Sequence, residues 1–383
     1  MRTHQIEIPQ GDLDELRARV AATRWPPALA DDGWDRGVPV AYLQGLAEYW
    51  ATSYDWRAAE AMLNRYPQFV TEIDGTNVHF LHVRSPEPAA RPLLISHGWP
   101  GSVVEFLDVI GPLTDPAAHG GDPADAFHVV IPTLPGFGFS GRAEPGWNPR
   151  RIAGAWAKLM QLLGYGQYIA QGGDAGSVIS LDLGRIDPDH VVGVHVNMLM
   201  TFPSGDPAEL ADLSESDQAR LARMAKFNDE QSAYWKLQQT RPQTLAYGLT
   251  DSPTGQLAWI VEKFKEWTDS DKTPEEAIDR DRLLTLVSIY WFTATAGTSA
   301  TLYYEDAAEL RKTLSGVRPA PVRVPVGVAV FPADIFLPLR RLADRDLPNI
   351  VHWSEYDRGG HFAAMEEPDL FVADLRAFSR KLV

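Results

Sequence analysis

The sequence predicts an α/β fold in which a parallel β-sheet is interrupted by a block of helices. Short apolar strands alternate with helices over residues 70–202, the alternation stops over residues 203–317, and it returns over residues 318–383. Such alternation is typical of a parallel sheet covered by helices on both faces. The interruption indicates a helical cap inserted into the α/β core.

Composition narrows the class of protein. The chain has 383 residues, of which 45% are hydrophobic and 22% charged, as in ordinary globular proteins. Its net charge of −16 argues against a nucleic-acid partner. The absence of cysteine excludes a disulfide scaffold, a cysteine-ligated zinc and a cysteine nucleophile.

No signal peptide or membrane-spanning stretch is recognisable, so we expect a cytoplasmic protein without membrane contact. Whether it is a monomer or a homodimer stays open.

Residues 1–69 are expected to form a helical and irregular arm without strands. The spacing of apolar residues predicts helices over residues 11–24, 40–54 and 56–64. The arm is too poor in core residues of its own to be a separate domain, yet it carries four tryptophans that need burial. These are Trp25, Trp34, Trp50 and Trp56. We therefore expect the arm to wrap around the core.

The α/β core is predicted in two parts, residues 70–202 and 318–383, with the cap over residues 203–317 between them. The Asp74-Gly75 pair between two apolar runs predicts a β-hairpin. The following elements are predicted from apolar runs and helix signals: strands over 93–96, 127–131, 168–170, 191–196, 326–330 and 350–353, and helices over 151–163, from about 177, and after Pro368.

The strongest local signal is the sequence Gly172-Gly173-Asp174-Ala175-Gly176 between a predicted strand and a helix. It fits the nucleophile elbow of the α/β-hydrolase fold, with Asp where esterases have Ser. The turn is sharp, so larger side chains at the flanking positions would collide with backbone. The alternative interpretation is a glycine-rich turn with an acidic helix cap.

A second loop, His97-Gly98-Trp99-Pro100, directly follows a predicted strand. It can direct the Trp99 N–H at a developing oxyanion, and the Ala175 N–H would be the other donor of such an oxyanion hole. The ring of His97 is expected to brace this loop by hydrogen bonds.

Two further loops complete a catalytic set. Asp334 follows the predicted strand at 326–330, where a carboxylate can orient a histidine, although a solvated loop acid is the commoner case. His361 lies in a glycine-rich loop after a strand, in Arg358-Gly-Gly-His-Phe. The chain order Asp174, Asp334, His361 is that of nucleophile, acid and histidine in α/β-hydrolases.

A carboxylate nucleophile predicts attack on an sp³ carbon, followed by hydrolysis of the resulting ester by water that the histidine activates. Alkyl halides and epoxides are the two substrate classes. Ala175 offers no side-chain donor for a halide, whereas phenols of the cap could donate to an epoxide oxygen. A dehalogenase and a catalytically silent α/β-hydrolase that binds a ligand remain the alternatives.

Over nearly its whole length the chain resembles the microsomal-type epoxide hydrolases, ether-bond hydrolases, in a soluble bacterial form. The resembling segments are Thr23-Arg-Trp-Pro26, His97-Gly-Trp-Pro100, Gly172-Gly-Asp174, Thr240-Arg-Pro-Gln-Thr244, Asp251-Ser-Pro253, Glu262-Lys-Phe264 with Trp267, and the run from Arg358 to Pro368. The likeness is greatest to bacterial members of secondary-metabolite pathways, including enediyne antibiotic biosynthesis. It implies a small-molecule epoxide and water as substrates and no cofactor or metal; the membrane anchor of animal members is not expected.

The resemblance also implies individual roles. Asp174 matches the family nucleophile, His361 the base and Asp334 the acid that orients it, while Tyr234 and Tyr303 match the two cap tyrosines that donate to the epoxide oxygen. Tyr304 stays open as the second tyrosine. Substrate contacts are expected from the following residues: His97, Pro100, Ala175 and Tyr304. Ala175 replaces the bulkier residue, often Trp, that relatives carry after the nucleophile, so the hypothesis is a wider pocket beside Asp174.

Overall fold

The structure is a computed structural model that describes residues 1–28 and 33–382; residues 29–32 of the predicted arm and residue 383 of the predicted core lie outside them. Its centre is one sheet with nine strands among the described residues. The strands are β1 (Arg2–His4), β2 (Gln68–Ile73), β3 (Thr76–Val83), β4 (Arg91–Ser96), β5 (Phe127–Pro132), β6 (Tyr168–Gly172), β7 (Val191–Asn197), β8 (Val326–Val330) and β9 (Ile350–Glu355).

The order of the strands in the sheet is β1-β2-β3-β5-β4-β6-β7-β8-β9. The pairs from β5 through β4, β6, β7 and β8 to β9 are parallel, as predicted, whereas β1, β2 and β3 are antiparallel to their neighbours. The predicted hairpin is present: Ile73 pairs with Thr76, and both residues of the Asp74-Gly75 turn have positive φ. The carboxyl ends of the parallel strands share one edge, which is where binding sites form in this class of sheet.

Helices cover both faces of the sheet, with α5 packed on α6 and α4 packed on α16. They are α1 (Gln10–Ala21), α2 (Val40–Thr52), α3 (Trp56–Leu63), α4 (Leu107–Thr114), α5 (Pro149–Leu162), α6 (Ala175–Ile186), α7 (Glu215–Lys226), α8 (Ala233–Thr240), α9 (Pro242–Asp251), α10 (Pro253–Trp267), α11 (Arg280–Phe292), α12 (Ala296–Ser299), α13 (Thr301–Leu314), α14 (Arg340–Asp346), α15 (Ala363–Glu366) and α16 (Pro368–Ser379).

The arm contains a strand, so the prediction of a strand-free arm is wrong. Arg2–His4 forms β1, which pairs with β2 at the edge of the sheet. The segment was missed because its three residues show no apolar alternation and take their extended form from pairing alone. The three predicted arm helices are present as α1, α2 and α3. Trp50 and Trp56 are buried, whereas Trp25 and Trp34 are partly buried against the core.

Helices α7 to α13 lie between β7 and β8, in the region predicted to form the cap. The arm packs against this helical block: α1 and α2 contact α10, and α3 contacts α11. The predicted domain boundaries at residues 69, 202 and 317 stay predictions. Within residues 1–28 and 33–382, no helix combines the length and apolar character needed to cross a membrane.

Candidate active site

Asp174 stands at the sharp turn between β6 and α6. Its backbone has φ 52°, an uncommon value for a residue other than glycine. A Cβ at Gly172 would lie 2.0 Å from the Gly176 carbonyl oxygen, and a Cβ at Gly176 would lie 2.0 Å from the Ser96 carbonyl oxygen. Only glycine therefore fits at these two flanking positions, which is the geometry that the elbow motif requires.

Two backbone N–H groups interact with this carboxylate. The Trp99 N–H donates to Asp174 Oδ1 at 2.9 Å, and the Ala175 N–H also hydrogen-bonds the Asp174 side chain. A Cβ at Gly98 would lie 2.1 Å from Oδ1, so the loop after β4 reaches Asp174 only because this residue is glycine. The two predicted oxyanion-hole donors thus meet at the predicted nucleophile.

His361 bridges the two buried carboxylates. Its Nδ1 hydrogen-bonds Asp334 Oδ1 at 2.7 Å, and its Nε2 lies 3.6 Å from Asp174 Oδ2. Asp334 and His361 are buried. The sequence-predicted nucleophile, acid and histidine therefore converge, with Nε2 facing Oδ2 of Asp174 while the Trp99 N–H bonds Oδ1.

The loop that carries His361 is fixed by the C-terminal end of cap helix α10. The His361 N–H donates to the Trp267 carbonyl oxygen at 2.8 Å, and the two side-chain rings pack edge to face with centroids 5.1 Å apart. A Cβ at Gly360 would lie 2.5 Å from the same carbonyl oxygen. The second glycine of the motif is therefore needed for the close approach of the loop to the cap.

Burial and neighbouring charges shift the pKa of both Asp174 and His361. Burial raises the pKa of the Asp174 carboxyl, whereas His361 and the Trp99 and Ala175 N–H groups oppose that increase. Burial alone would lower the pKa of His361, but the Asp334 carboxylate, together with Asp174, raises it to about 9. An imidazolium between two carboxylates is thus the favoured state at neutral pH.

The cap places two phenols over the nucleophile. Tyr234 on α8 and Tyr303 on α13 have ring centroids 6.0 Å apart and line a cavity together with Asp174 and Ala175. Trp99 stacks on Tyr234 with ring centroids 5.3 Å apart. Burial first, and then the nearby carboxylate, raises the pKa of Tyr234 well above its ordinary value, so its hydroxyl stays protonated.

Three of the predicted substrate contacts are not found at this cavity. Tyr304 is 54% exposed, because it lies one residue, and so about 100° of helix turn, from Tyr303. His97 is buried with both ring nitrogens directed at backbone, since Nδ1 bonds the Gly98 carbonyl and Nε2 accepts from the Leu134 N–H. It braces the loop, as its hydrogen-bonding interpretation predicted. Pro100 is buried and does not line the cavity.

Sequence reasoning missed two ionisable groups beside the site. Lys263 Nζ lies 4.7 Å from the centroid of the Tyr234 ring and is paired with Glu262 and Glu266 at 2.5 and 2.7 Å. Glu105 caps a turn by accepting from the Ser102 N–H, and burial raises its pKa to about 8. The Ser-x-x-Glu spacing of a capping box was a signal for Glu105, whereas a lysine under an aromatic ring has no sequence signature.

A second, larger cavity adjoins the one at Asp174. The cavity at Asp174, called the inner part, has a volume of about 50 Å³, and the adjoining cavity, called the outer part, has a volume of about 440 Å³. The residues that line both parts are Val178, Met200, Asp306 and Leu310. The inner part is large enough for a small reacting group, so a bulkier substituent would extend into the outer part.

Two models of known protein families match overlapping segments of this chain. Residues 1–106 match the family model described as epoxide hydrolase N terminus, and residues 91–257 match the model described as alpha/beta hydrolase fold. The first model covers the arm and the strands up to the oxyanion-hole loop, and the second covers the elbow.

Sequence similarity to known proteins covers almost the whole chain. A protein of Stigmatella aurantiaca whose name places it among the epoxide hydrolases is 49% identical over 99% of this chain and 84% of its own length. Epoxide hydrolase 1 of Sus scrofa is 35% identical over 99% of this chain and 88% of its own length. The crystal structure of juvenile hormone epoxide hydrolase from Bombyx mori superposes with a TM-score of 0.91 at 31% identity, covering 100% of this chain and 94% of that chain.

Proposed function

Because the chain belongs to the epoxide hydrolase family, we propose that it converts an epoxide to a vicinal diol through a covalent ester on Asp174. The observation that carries the mechanism is the placement of one carboxylate between three groups. Oδ1 of Asp174 lies against backbone donors, Oδ2 faces His361 Nε2, and the Tyr234 and Tyr303 hydroxyls lie across the cavity.

In the first step, Asp174 Oδ2 attacks an epoxide carbon and the carbon–oxygen bond of the ring breaks. Tyr234 and Tyr303 donate hydrogen bonds to the ring oxygen as negative charge develops on it, and this oxygen takes up a proton. The packing of the two phenols in one cavity with Asp174 supports this role, since both side chains lie near the same reacting group. The product is a hydroxyalkyl ester of Asp174.

In the second step, His361 Nε2 takes a proton from water, which attacks the ester carbonyl carbon. The carbonyl oxygen is Oδ1, which already accepts from the Trp99 N–H and lies on the carboxylate that the Ala175 N–H also approaches, so the charge of the tetrahedral intermediate develops against preorganised donors. The ester bond to Oδ2 then breaks, and the diol leaves with that oxygen and a proton from His361. The new carboxyl group keeps the oxygen of water and passes the second proton of that water to His361, which restores the carboxylate and the imidazolium.

The charge on His361 follows the covalent state of Asp174. A pKa of about 9 keeps His361 protonated in the free enzyme at neutral pH, a state unsuited to a base. Formation of the ester removes the Asp174 charge that helps to raise this pKa. His361 then gives up its proton more readily. This proton accounts for the one that the ring oxygen takes up, and a neutral imidazole remains for the second step.

The test is to trap the ester. With styrene oxide as substrate, His361→Gln should accumulate an adduct on the peptide that contains Asp174, detected by mass spectrometry, and Asp174→Ala should show neither adduct nor turnover. Multiple turnovers of the unchanged enzyme in ¹⁸O-water should label the Asp174 carboxyl. Turnover with no label in that carboxyl group would exclude the covalent route and favour direct attack of water.

We further propose that the epoxide is an intermediate of natural-product biosynthesis. This rests on the motif resemblance to bacterial enzymes of secondary metabolism, and the outer cavity of about 440 Å³ supports a substrate larger than a simple alkyl epoxide.

A further inference from the structure

The cavity beyond the catalytic residues carries one acidic side chain at the junction of its two parts. Asp306 lines both the inner part and the outer part. It lies on α13 three residues after Tyr303 and four before Leu310, so the three side chains project from one helix face. A substrate whose epoxide contacts Tyr303 therefore has its next few atoms beside Asp306.

The Asp306 carboxylate has no hydrogen-bond or ion-pair partner among the residues that the structure describes, which sets it apart from its neighbours. Glu305 accepts from the Gly146 N–H at 2.8 Å, Glu309 pairs with Lys312 at 2.6 Å, and Asp182 pairs with Arg185 at 2.8 Å. Asp306 is partly buried, and acids withdrawn from water are normally paired, because removal of a charge from water is costly. A carboxylate left unpaired in a substrate cavity indicates that the ligand supplies the partner.

The charges near Asp306 indicate which kind of ligand group would bind to it. Burial raises the pKa of Asp306 to about 6, and the negative charges of Asp182 and Glu309 add to the increase. At neutral pH this acid is therefore mainly ionised. A cation bound at Asp306 would relieve both its burial and the repulsion from Asp182 and Glu309. The outer part is also lined by arginines, of which Arg185 pairs with Asp182 and Arg345 with Asp346, so the preference for a cation is confined to the surroundings of Asp306; the arginines are Arg150, Arg185, Arg318 and Arg345.

We propose that Asp306 is a specificity-determining residue that binds a cationic nitrogen of the substrate, a few bonds from the epoxide. The preferred substrate class is then an amino-epoxide with its epoxide in the inner part of the cavity and its ammonium at the junction. Side chains three residues apart on a helix have Cβ atoms about 5–6 Å apart, which suggests a spacer of about three to five carbons. The inference rests on the proposed epoxide hydrolysis.

The test compares a matched pair of terminal epoxides assayed at pH 8, where Asp306 is ionised. One carries a trimethylammonium group at the end of a four-carbon spacer, and the other carries a tert-butyl group of the same shape. We expect kcat/KM for the cation to exceed that for the neutral isostere by about tenfold or more, and Asp306→Asn to abolish most of this ratio. Glu305→Gln, the control at a carboxylate of α13 that does not line either part of the cavity, should keep it.

Three results would overturn the proposal. The first is equal kcat/KM for the cationic and the neutral substrate. The second is a ratio of these two kcat/KM values that is unchanged in Asp306→Asn. The third is a preference for an ω-hydroxyl epoxide without a preference for the cation, which would mean that Asp306 recognises a neutral donor. Calorimetric titration with the cationic diol needs no turnover and should show about tenfold weaker binding to Asp306→Asn. Weaker binding without hydrolysis of any epoxide would support the subsite while contradicting the proposed function.

Discussion

Replacement of Asp334 by Asn separates the two chemical steps that we propose. The substitution keeps the size of the side chain but removes the negative charge 2.7 Å from His361 Nδ1. Asp334 is the largest of the charges that raise the pKa of His361 from 6.5 to about 9. At roughly 1.4 kcal/mol per pH unit, this increase corresponds to about 3 kcal/mol of preference for the imidazolium.

The rate of ester hydrolysis should fall by roughly 100-fold, because the imidazolium that forms as His361 takes a proton from water loses most of this stabilisation. The alkylation step should change much less, since Tyr234, Tyr303 and the oxyanion-hole donors are untouched. The ester on Asp174 should therefore accumulate in the steady state.

Rapid quench followed by mass spectrometry measures the two steps separately. A base must be neutral to act, so the hydrolysis rate rises as pH increases through the pKa of His361. In Asp334→Asn this rise should move to lower pH while the plateau falls. Glu367→Gln, on a carboxylate that instead pairs with Arg358 at 3.0 Å, is the control. An unchanged hydrolysis rate, or a loss confined to alkylation, would refute the assignment of Asp334 and His361 to the second step.

Three further predictions follow from the structure. Tyr303→Phe should lower the alkylation rate roughly 10- to 100-fold by removing a donor to the developing alkoxide, whereas Tyr304→Phe should have no effect in the same stopped-flow assay; a larger effect at Tyr304 would reverse their assignment. Ala175→Trp should fill the cavity beside the nucleophile and reduce kcat/KM for a bulky epoxide at least about tenfold relative to a small one, and unchanged selectivity would remove the wide-pocket hypothesis. Asp374→Asn should lower the free energy of unfolding, measured in urea, by about 2–4 kcal/mol. The reason is that the buried Asp374 carboxylate accepts hydrogen bonds from His195 and Tyr356 at 2.7 and 2.8 Å. A decrease below about 1 kcal/mol would contradict this prediction.

The same Asp374 network has a predictable dependence on pH. Burial alone would raise the pKa of Asp374, but the hydrogen bonds from His195 and His352 lower it below its ordinary 3.8. A carboxyl whose pKa is lower in the folded state stabilises the protein above its unfolded pKa, and this stabilisation is lost as pH falls. The stability difference between the unchanged protein and Asp374→Asn should therefore narrow below about pH 4.

The convergence of Asp174, Asp334 and His361 was predictable because these residues sit in local sequence patterns that have local physical causes. The elbow at Asp174 needs glycines where any Cβ would collide with backbone, and the loops of Trp99 and His361 need glycines for close approach. Such requirements leave a signature within five residues. The parallel part of the sheet was predictable for a similar reason, since buried strands read as short apolar runs.

The features that were missed depend on partners distant in sequence. Strand β1 is extended because β2 lies beside it. Lys263 is notable because its ammonium lies over the Tyr234 ring, and Asp306 is notable because none of the described residues pairs with it. None of these properties belongs to the residue or its neighbours in the chain. The choice between Tyr303 and Tyr304 was open in the sequence for the same reason, since only the rotation of α13 decides which phenol faces the cavity.

The arm supports the proposed site from a distance, since none of residues 1–28 and 33–69 lines the cavity. The Trp50 indole N–H donates to Ser288 Oγ at 2.9 Å and the Tyr54 hydroxyl hydrogen-bonds Thr285 Oγ1 at 2.9 Å, so buried polar contacts tie the arm to α11. Helix α11 packs on α10, whose last residue, Trp267, accepts from the His361 N–H. The base is thus positioned by the cap, and the cap is held by the arm. A reaction that needs His361 on the core and two phenols on the cap within one cavity requires a fixed orientation of cap to core, which the arm stabilises from the outside.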